Sequence, residues 1–366
     1  MTRRRSLLLF AAILSLSLTG MAQNGVRALV PALPDKLTDT DFWSLVAELS
    51  EPDGEFRSDN LLSNEIYLQT VIPQLVRASK LNRVYLGVGP EQNFTYIAAL
   101  RPKMVFIVDV RRGNLHLHLM YKALFEMSRD RADFIFRLFS RKRPEGLGAK
   151  STTGEIFTAL YELYKATPEK EANDLLKQNL KLLQDHLTRT RRLPLTADDL
   201  KGIEYVYTQF SWFGPGLSYW STGGGPRRLD APTYWDLMVA EDGKGQNRSF
   251  LASEENFLVM KELHQKNLLV PVVGNFSGPK ALRSVGRYLR DREATVSAFY
   301  LSNVEQYLDR EGMRPVFLCN VATLPLDEAS IFIRSVRNNA FGPGIGLESA
   351  VGNMPEEVKG CAPRQP

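Results

Sequence analysis

The sequence is poor in the side chains that most often announce a metal or redox centre. Its 366 residues include two cysteines and four histidines, and none of them has the spacing of a zinc site. Cys319 lies in an apolar run and Cys361 in a Pro-rich tail. Two readings stay open for them: a disulfide, or two unpaired thiols. His116 and His118 are two positions apart in a segment that reads as helix. That separation is roughly 200° around the axis, so the two rings face opposite sides and share no metal. His186 and His264 stand singly on polar helix faces and are expected to be solvated. Gly-x-Ser-x-Gly is absent, which removes the nucleophile motif of the α/β serine hydrolases. Gly146-Leu147-Gly148-Ala149-Lys150-Ser151 lacks the glycine before its lysine and follows no apolar strand, so it reads as an ordinary loop rather than a phosphate loop. Long apolar runs are missing too. The run from Leu7 to Leu18 falls short of the ~20 residues that span a bilayer as a helix.

Net charge is also scarce once its location is considered. The formal charge is +5, with 46 basic and 41 acidic residues. Arg3, Arg4 and Arg5 precede the apolar run, and small residues at Gly20 and Ala22 follow it. These are the three regions of an export signal, with cleavage expected before Gln23. Without the three arginines the charge falls to +2, which argues against a genome-coating or polyanion-binding protein, and no nucleic-acid partner is expected. The expected location is periplasmic or secreted, with no stable membrane span after leader removal. An uncleaved anchor is the alternative. The expected partner is an unidentified small molecule or protein. With 44% hydrophobic and 24% charged residues, the chain has the composition of a folded globular protein.

What is present is an α/β rhythm. A helix is expected over Asp41–Leu49 and another over Ser63–Ala78, distorted at Pro73. A strand over Arg83–Gly87, a helix over Phe94–Leu100 and a strand over Lys103–Val110 form a βαβ unit. Helical periodicity covers 114–139, 154–165 and 169–190, followed by an aromatic and Gly-rich stretch from Tyr205 to Trp235. Alternation then resumes. Helices are expected over Glu254–Gln265 behind Ser253, Pro279–Arg290 and Val304–Arg310. Strands are expected over Leu268–Val273, Thr295–Leu301, Pro315–Cys319 and Ser330–Val336. The fold class is therefore α/β: a Rossmann-like, doubly wound, mostly parallel sheet with a large helical insertion between its second and third strands. The expected division is leader 1–22, N-terminal extension 23–59, a discontinuous Rossmann-like domain over 60–112 and 250–340, insertion 113–249, and a Gly/Pro-rich tail 341–366. The basic clusters Arg141-Lys142-Arg143 and Arg189, Arg191, Arg192 sit at helix ends, where they complement C-terminal carbonyls. The aromatic stretch is either a lid over a ligand or a connection pinned onto the core.

Four strand ends carry residue types suited to a ligand. Gly87 and Gly89 (GVGPEQN) allow close backbone approach. Asp109 closes the second strand 20 residues after Gly89, the offset at which a carboxylate accepts ribose hydroxyls. Gly274-Asn275-Phe276 closes the third, and Ser302-Asn303-Val304-Glu305-Gln306-Tyr307 the fourth. Together these resemble the Rossmann-like (class I) S-adenosylmethionine-dependent methyltransferases. The segments GVGPEQNFTYIAA, FIVDVRR, LMYKALFE and SNVEQYL also resemble an uncharacterised bacterial protein family. The methyltransferase resemblance implies S-adenosylmethionine as cofactor, with no metal. Gly87 and Gly89 would face its methionine part, Asp109 its ribose, Asn275 its adenine, and Asn303 the transferred methyl. Glu91, Asn303 and Tyr307 would position polar groups. The sequence departs from the pattern at Glu91, where a third glycine is usual, and at Asn275, where an acid is usual. A dinucleotide site would need glycine at Gln92. The competing reading is a non-catalytic exported binding protein on a degenerate scaffold, in which Asp109 pairs with Arg111 or Arg112.

Overall fold

A computed structural model describes residues 32–78, 80, 82–222, 231–337 and 347–361. The expected leader, Gly223-Gly224-Gly225 and Arg227-Arg228 lie outside the described residues. The described elements begin with α1 (Asp39–Leu49), a 3-10 turn (Leu68–Val71), α2 (Ile72–Ala78), β1 (Val84–Gly87), α3 (Gln92–Leu100) and β2 (Met104–Asp109). Among the described residues seven α-helices, with a π turn (His186–Thr190) and a 3-10 turn (Gly214–Gly216), separate β2 from the next strand: α4 (Arg112–Met127), α5 (Arg131–Leu138), α6 (Thr153–Ala166), α7 (Glu169–Asp185), α8 (Ala197–Phe213), α9 (Tyr234–Val239) and α10 (Glu254–Gln265). Then follow β3 (Leu269–Val273), α11 (Ala281–Arg290), β4 (Val296–Ser302), α12 (Val304–Arg310), α13 (Arg314–Val321), β5 (Ile331–Arg337), β6 (Leu347–Asn353) and α14 (Met354–Glu357).

The six strands form one sheet in the order β3-β2-β1-β4-β5-β6. The first five are parallel, and β6 runs antiparallel to β5. Every residue of β1, β2 and β3 is buried, as their near-continuous apolar runs require of a sheet covered on both faces. The chain moves outward from β1 through β2 to β3 and returns to β4 on the other side of β1. The strand order therefore reverses between β1 and β4, the position where open parallel sheets bind ligands. α10 packs against α3 and α4, whereas α11 packs against α13, the division between two faces that right-handed crossovers require when the chain reverses its direction across the sheet. α1 packs against β3 and α11.

Local chemistry fixes the helix starts. Thr152, Thr196 and Thr233 form reciprocal capping boxes with Glu155, Asp199 and Asp236. Ser253 caps α10 through the Asn256 amide. Pro73 falls in the first turn of α2, where its missing N–H costs nothing. α11 starts at Ala281 rather than Pro279. Its first amides, from Lys280 and Ala281, donate to the Glu51 carboxylate at 2.9 and 2.8 Å.

Several expectations are corrected. Residues 315–319 are helical, within α13. Phe317, Asn320 and Val321 are its buried residues, a helical spacing that a short apolar run conceals. The helical stretch 114–139 breaks at Ser128–Asp130 into α4 and α5. Residues placed in the Gly/Pro-rich tail supply β6, which pairs along the whole of β5. Of the two readings open for Cys319 and Cys361 the disulfide is the one formed, with Cα atoms 5.1 Å apart. His264 is 1% exposed and stacks on Phe125 with centroids 4.8 Å apart. His186 is mostly buried and bonds Glu126 Oε2 at 2.6 Å. Neither histidine is solvated, because each packs on a neighbouring element that its own helix could not reveal.

Candidate functional site

Gly89, Asp109, Asn275, Asn303 and Tyr307 line one crevice of about 210 Å³ at the carboxyl ends of β1 to β4. Gly89 has φ +74°, a left-handed conformation that glycine adopts without penalty. Its carbonyl accepts a hydrogen bond from His118 Nε2 at 2.9 Å. Burial holds the His118 pKa down to about 4, so the ring is neutral and Nε2 carries the proton. Asn93 fastens the same loop: its Nδ2 donates to Val88 O at 2.8 Å and Pro90 O at 2.7 Å. Tyr85 donates to Asn93 Oδ1 at 2.9 Å.

Two expected ligand residues lie elsewhere. A Cβ on Gly87 would sit 1.9 Å from Asn93 Oδ1, so this glycine makes room for the loop's own staple rather than for a ligand. Glu91 is fully buried and outside the crevice lining. Its Oε1 accepts the Ser63 amide at 3.5 Å, while its Oε2 has no partner. Desolvation, helped by the nearby charge of Glu65, pushes its pKa up to about 8. A mostly protonated, inward-facing acid replaces the expected cofactor contact.

The Asp109 carboxylate is itself occupied. Arg111 donates its backbone N at 2.9 Å and its Nε at 3.1 Å to Oδ1, and its Nη2 at 3.1 Å to Oδ2. A carboxylate offers about four acceptor sites, so Oδ2 retains capacity for one hydroxyl rather than two. Asn275 is also partly committed. Its Oδ1 accepts the Ser277 amide and hydroxyl, both at 2.9 Å, and its backbone N–H donates to Glu51 Oε2 at 2.9 Å.

Residues 51–61, of which 51–59 fall in the expected N-terminal extension, form a strap across the strand ends. Gly54 N donates to Val110 O at 2.9 Å, and Asp53 Oδ1 accepts the Arg112 amide at 2.6 Å. Arg111 Nη1 reaches the Ser58 and Asp59 carbonyls, and Asp59 Oδ2 accepts the Tyr205 hydroxyl at 2.5 Å. At the far end the Phe56 ring meets Tyr307 edge-on at 5.3 Å, and Arg57 Nη2 donates to the Tyr307 hydroxyl at 2.9 Å. The strap thus walls the crevice between β2 and α12. Glu55, Phe56 and Arg111 also border a neighbouring cavity of about 560 Å³.

His116 lines that second cavity and bonds Asp199 Oδ1 at 2.9 Å, whereas His118 points to Gly89. The two rings serve different partners. No group of three or more His, Cys, Asp or Glu residues suited to a metal occurs among the described residues. From the aromatic stretch, Tyr219 lines the crevice, while Trp235 packs on Phe157 and Tyr161. One part of the stretch therefore borders the site and another pins the connection to the core. Arg141 donates to the Phe139 and Ser140 carbonyls at the end of α5, both at 3.1 Å. Arg191 bonds Glu126 at 2.8 Å and Asp39 at 3.2 Å.

The family model described as a domain of unknown function (DUF7790) matches residues 61–347, a span that contains β1 to β5 and all of the crevice except its strap. No curated protein matches the chain.

Proposed function

We propose that this chain, which belongs to the DUF7790 family of domains of unknown function, binds a nucleoside-type small molecule in the crevice, with S-adenosylmethionine as the leading candidate. The observation that carries the reading is the convergence of Gly89, Asp109, Asn275 and Asn303 on one crevice at the reversal of strand order. The residues fit such a group in part. Gly89 lets backbone approach closely, Asp109 Oδ2 accepts one ribose hydroxyl, and the Asn275 amide orients a heterocycle. Asn303 and Tyr307 border the β4 end, where an acceptor would meet the activated methyl that the bound cofactor supplies. The volume of about 210 Å³ lies below the ~300–1,000 Å³ of usual ligand pockets, so a whole cofactor requires the strap to shift at Phe56. Positioning and exclusion of water are the contributions these residues make.

A second reading is a non-catalytic exported binding protein. Two observations favour it: Arg111 occupies most of Asp109, and the Cys319–Cys361 disulfide suits an oxidising compartment. Thermal unfolding of the purified chain with S-adenosylmethionine, S-adenosylhomocysteine, adenosine and a nicotinamide dinucleotide tests the nucleoside reading. A ligand at a hundred times its Kd stabilises by about 2.7 kcal/mol. Stabilisation by the first three and not the fourth is expected. Stabilisation by none of them removes the nucleoside reading.

A further inference from the structure

We propose that Ser302 is an activated nucleophile with the Glu65 carboxylate as its proton acceptor, and that it acts on a small uncharged acyl ester or thioester. Ser302 ends β4 with Asn303 between it and α12, and its φ is +50°, a left-handed conformation that non-glycine residues enter only at an energetic cost. Such strain concentrates at functional positions. A serine in a strained strand-to-helix turn presents its hydroxyl above the edge of a parallel sheet. Ser302 borders both the crevice and a separate cavity of about 320 Å³ on the β5 side. Tyr300 and Val304 stand where the hydrolase motif places glycines, so the turn is invisible to a motif search.

Behind Ser302 lies Glu65, 1% exposed. Its Oε1 accepts the Ser302 hydroxyl at 2.6 Å and the Tyr300 hydroxyl at 2.7 Å. Gln92 Nε2 donates to the Tyr300 oxygen. Oε2 has no hydrogen-bond partner of normal geometry. Burial raises the Glu65 pKa above the ordinary carboxyl value, and hydrogen bonding by Ser302, Tyr300, Ser335 and Gln92 offsets this only in part. Among the described residues, no Lys, Arg or His side chain is one of the principal groups that act on this carboxyl. A desolvated carboxylate without a cation is a stronger base than an exposed one. Of its two hydroxyl donors, Tyr300 is fully buried and Ser302 borders the crevice.

The step balances with these groups. Ser302 Oγ bonds to the acyl carbon while its proton passes to Glu65. The bond from that carbon to the leaving oxygen or sulfur then breaks, and Glu65 returns the proton to the leaving group. Water repeats the sequence in reverse, releasing a carboxylic acid and restoring Ser302. The crevice wall sets the substrate class. It carries the amides of Asn60, Asn64 and Asn303 beside apolar Val88, Phe276 and Leu308. Among the described lining residues Arg111 is the one cation, and it is bonded to Asp109, so the described lining offers no unpaired cation to a phosphate or carboxylate. The inference does not rest on the nucleoside reading, and either can fail alone.

The test is covalent labelling of the purified chain with a fluorophosphonate probe, read by intact mass and peptide mapping. One adduct on the peptide containing Ser302 is expected, absent in Ser302→Ala. It should form about a hundredfold more slowly in Glu65→Gln, the scale of a lost general base. p-Nitrophenyl butyrate should be hydrolysed with the same dependence on both residues. No adduct at Ser302 overturns the proposal, as does an adduct that forms equally fast in Glu65→Gln or, where that variant does not fold, in Glu65→Asp. Labelling without ester hydrolysis overturns the substrate class.

Discussion

Arg111 grips both oxygens of Asp109 while its Nη1 reaches the Ser58 and Asp59 carbonyls. One guanidinium therefore neutralises the carboxylate at the end of β2 and anchors the strap above it. Both side chains are nearly buried, Asp109 at 4% and Arg111 at 8% exposure. Removing one member of such a pair leaves the other charge uncompensated, at a cost of about 3–5 kcal/mol. Arg111→Met should lose that amount in urea unfolding. Adding Asp109→Asn to it should recover a large part.

Gly87 and Gly89 should respond differently to alanine. Alanine at Gly87 displaces Asn93, the staple of the loop, and should cost about 1–3 kcal/mol of stability, the range for forcing extra volume into a packed interior. Alanine at Gly89 meets Asn60 Nδ2 at 3.1 Å and must hold a positive φ, for about 1–2 kcal/mol. Comparison of the two variants by thermal unfolding and ligand titration should show nucleoside binding weakened most by Gly89→Ala, since only that position lines the crevice.

Buried Glu91 and His118 set opposite pH dependences. Glu91 is raised to about 8 in the folded chain, so its contribution is greatest below the unfolded carboxyl pKa and declines as pH rises to 8. His118 is lowered to about 4, so stability rises with pH from 4 to the unfolded value near 6.5. The two oppose one another below pH 6.5. Above it Glu91 acts alone of the pair, and stability should fall by about 2 kcal/mol between pH 6.5 and 8. Urea unfolding of Glu91→Gln across that window should show the slope removed.

The disulfide joins α13 to the segment after α14 across a sequence separation of 42. Closing a loop of that length is worth up to about 4 kcal/mol in the chain-entropy treatment. Cys361→Ser should lower unfolding stability by up to that amount. Non-reducing peptide mapping should recover the Cys319–Cys361 pair from the native chain.

The ends of β1 to β4 were legible because buried parallel strands are continuous apolar runs, and the residue after each run marks the ligand edge of the sheet. That logic placed Gly89, Asp109, Asn275 and Asn303 together, and Tyr307 one helical turn beyond. It misplaced Gly87 and Glu91, whose directions depend on the phase of the turn between β1 and α3. The pairing of Asp109 with Arg111 was visible as an alternative, being local. The strap was not, because backbone carbonyls at Ser58 and Asp59 hold it and any residue supplies those. Glu65 stood inside a stretch read as one helix, and its partners Tyr300 and Ser302 lie more than 230 residues away. Residues 315–319 were read as a strand because an apolar run of that length suits either structure until its burial is known.

The most direct measurement is calorimetric titration of the purified chain with S-adenosylhomocysteine, alongside Gly89→Val, which cannot hold the left-handed loop without strain. Saturable one-site binding by the native chain, lost in the variant while its fold persists, is the expected result. Absence of binding by the native chain, or equal binding by a folded Gly89→Val, would contradict a nucleoside site at the β1–β4 crevice.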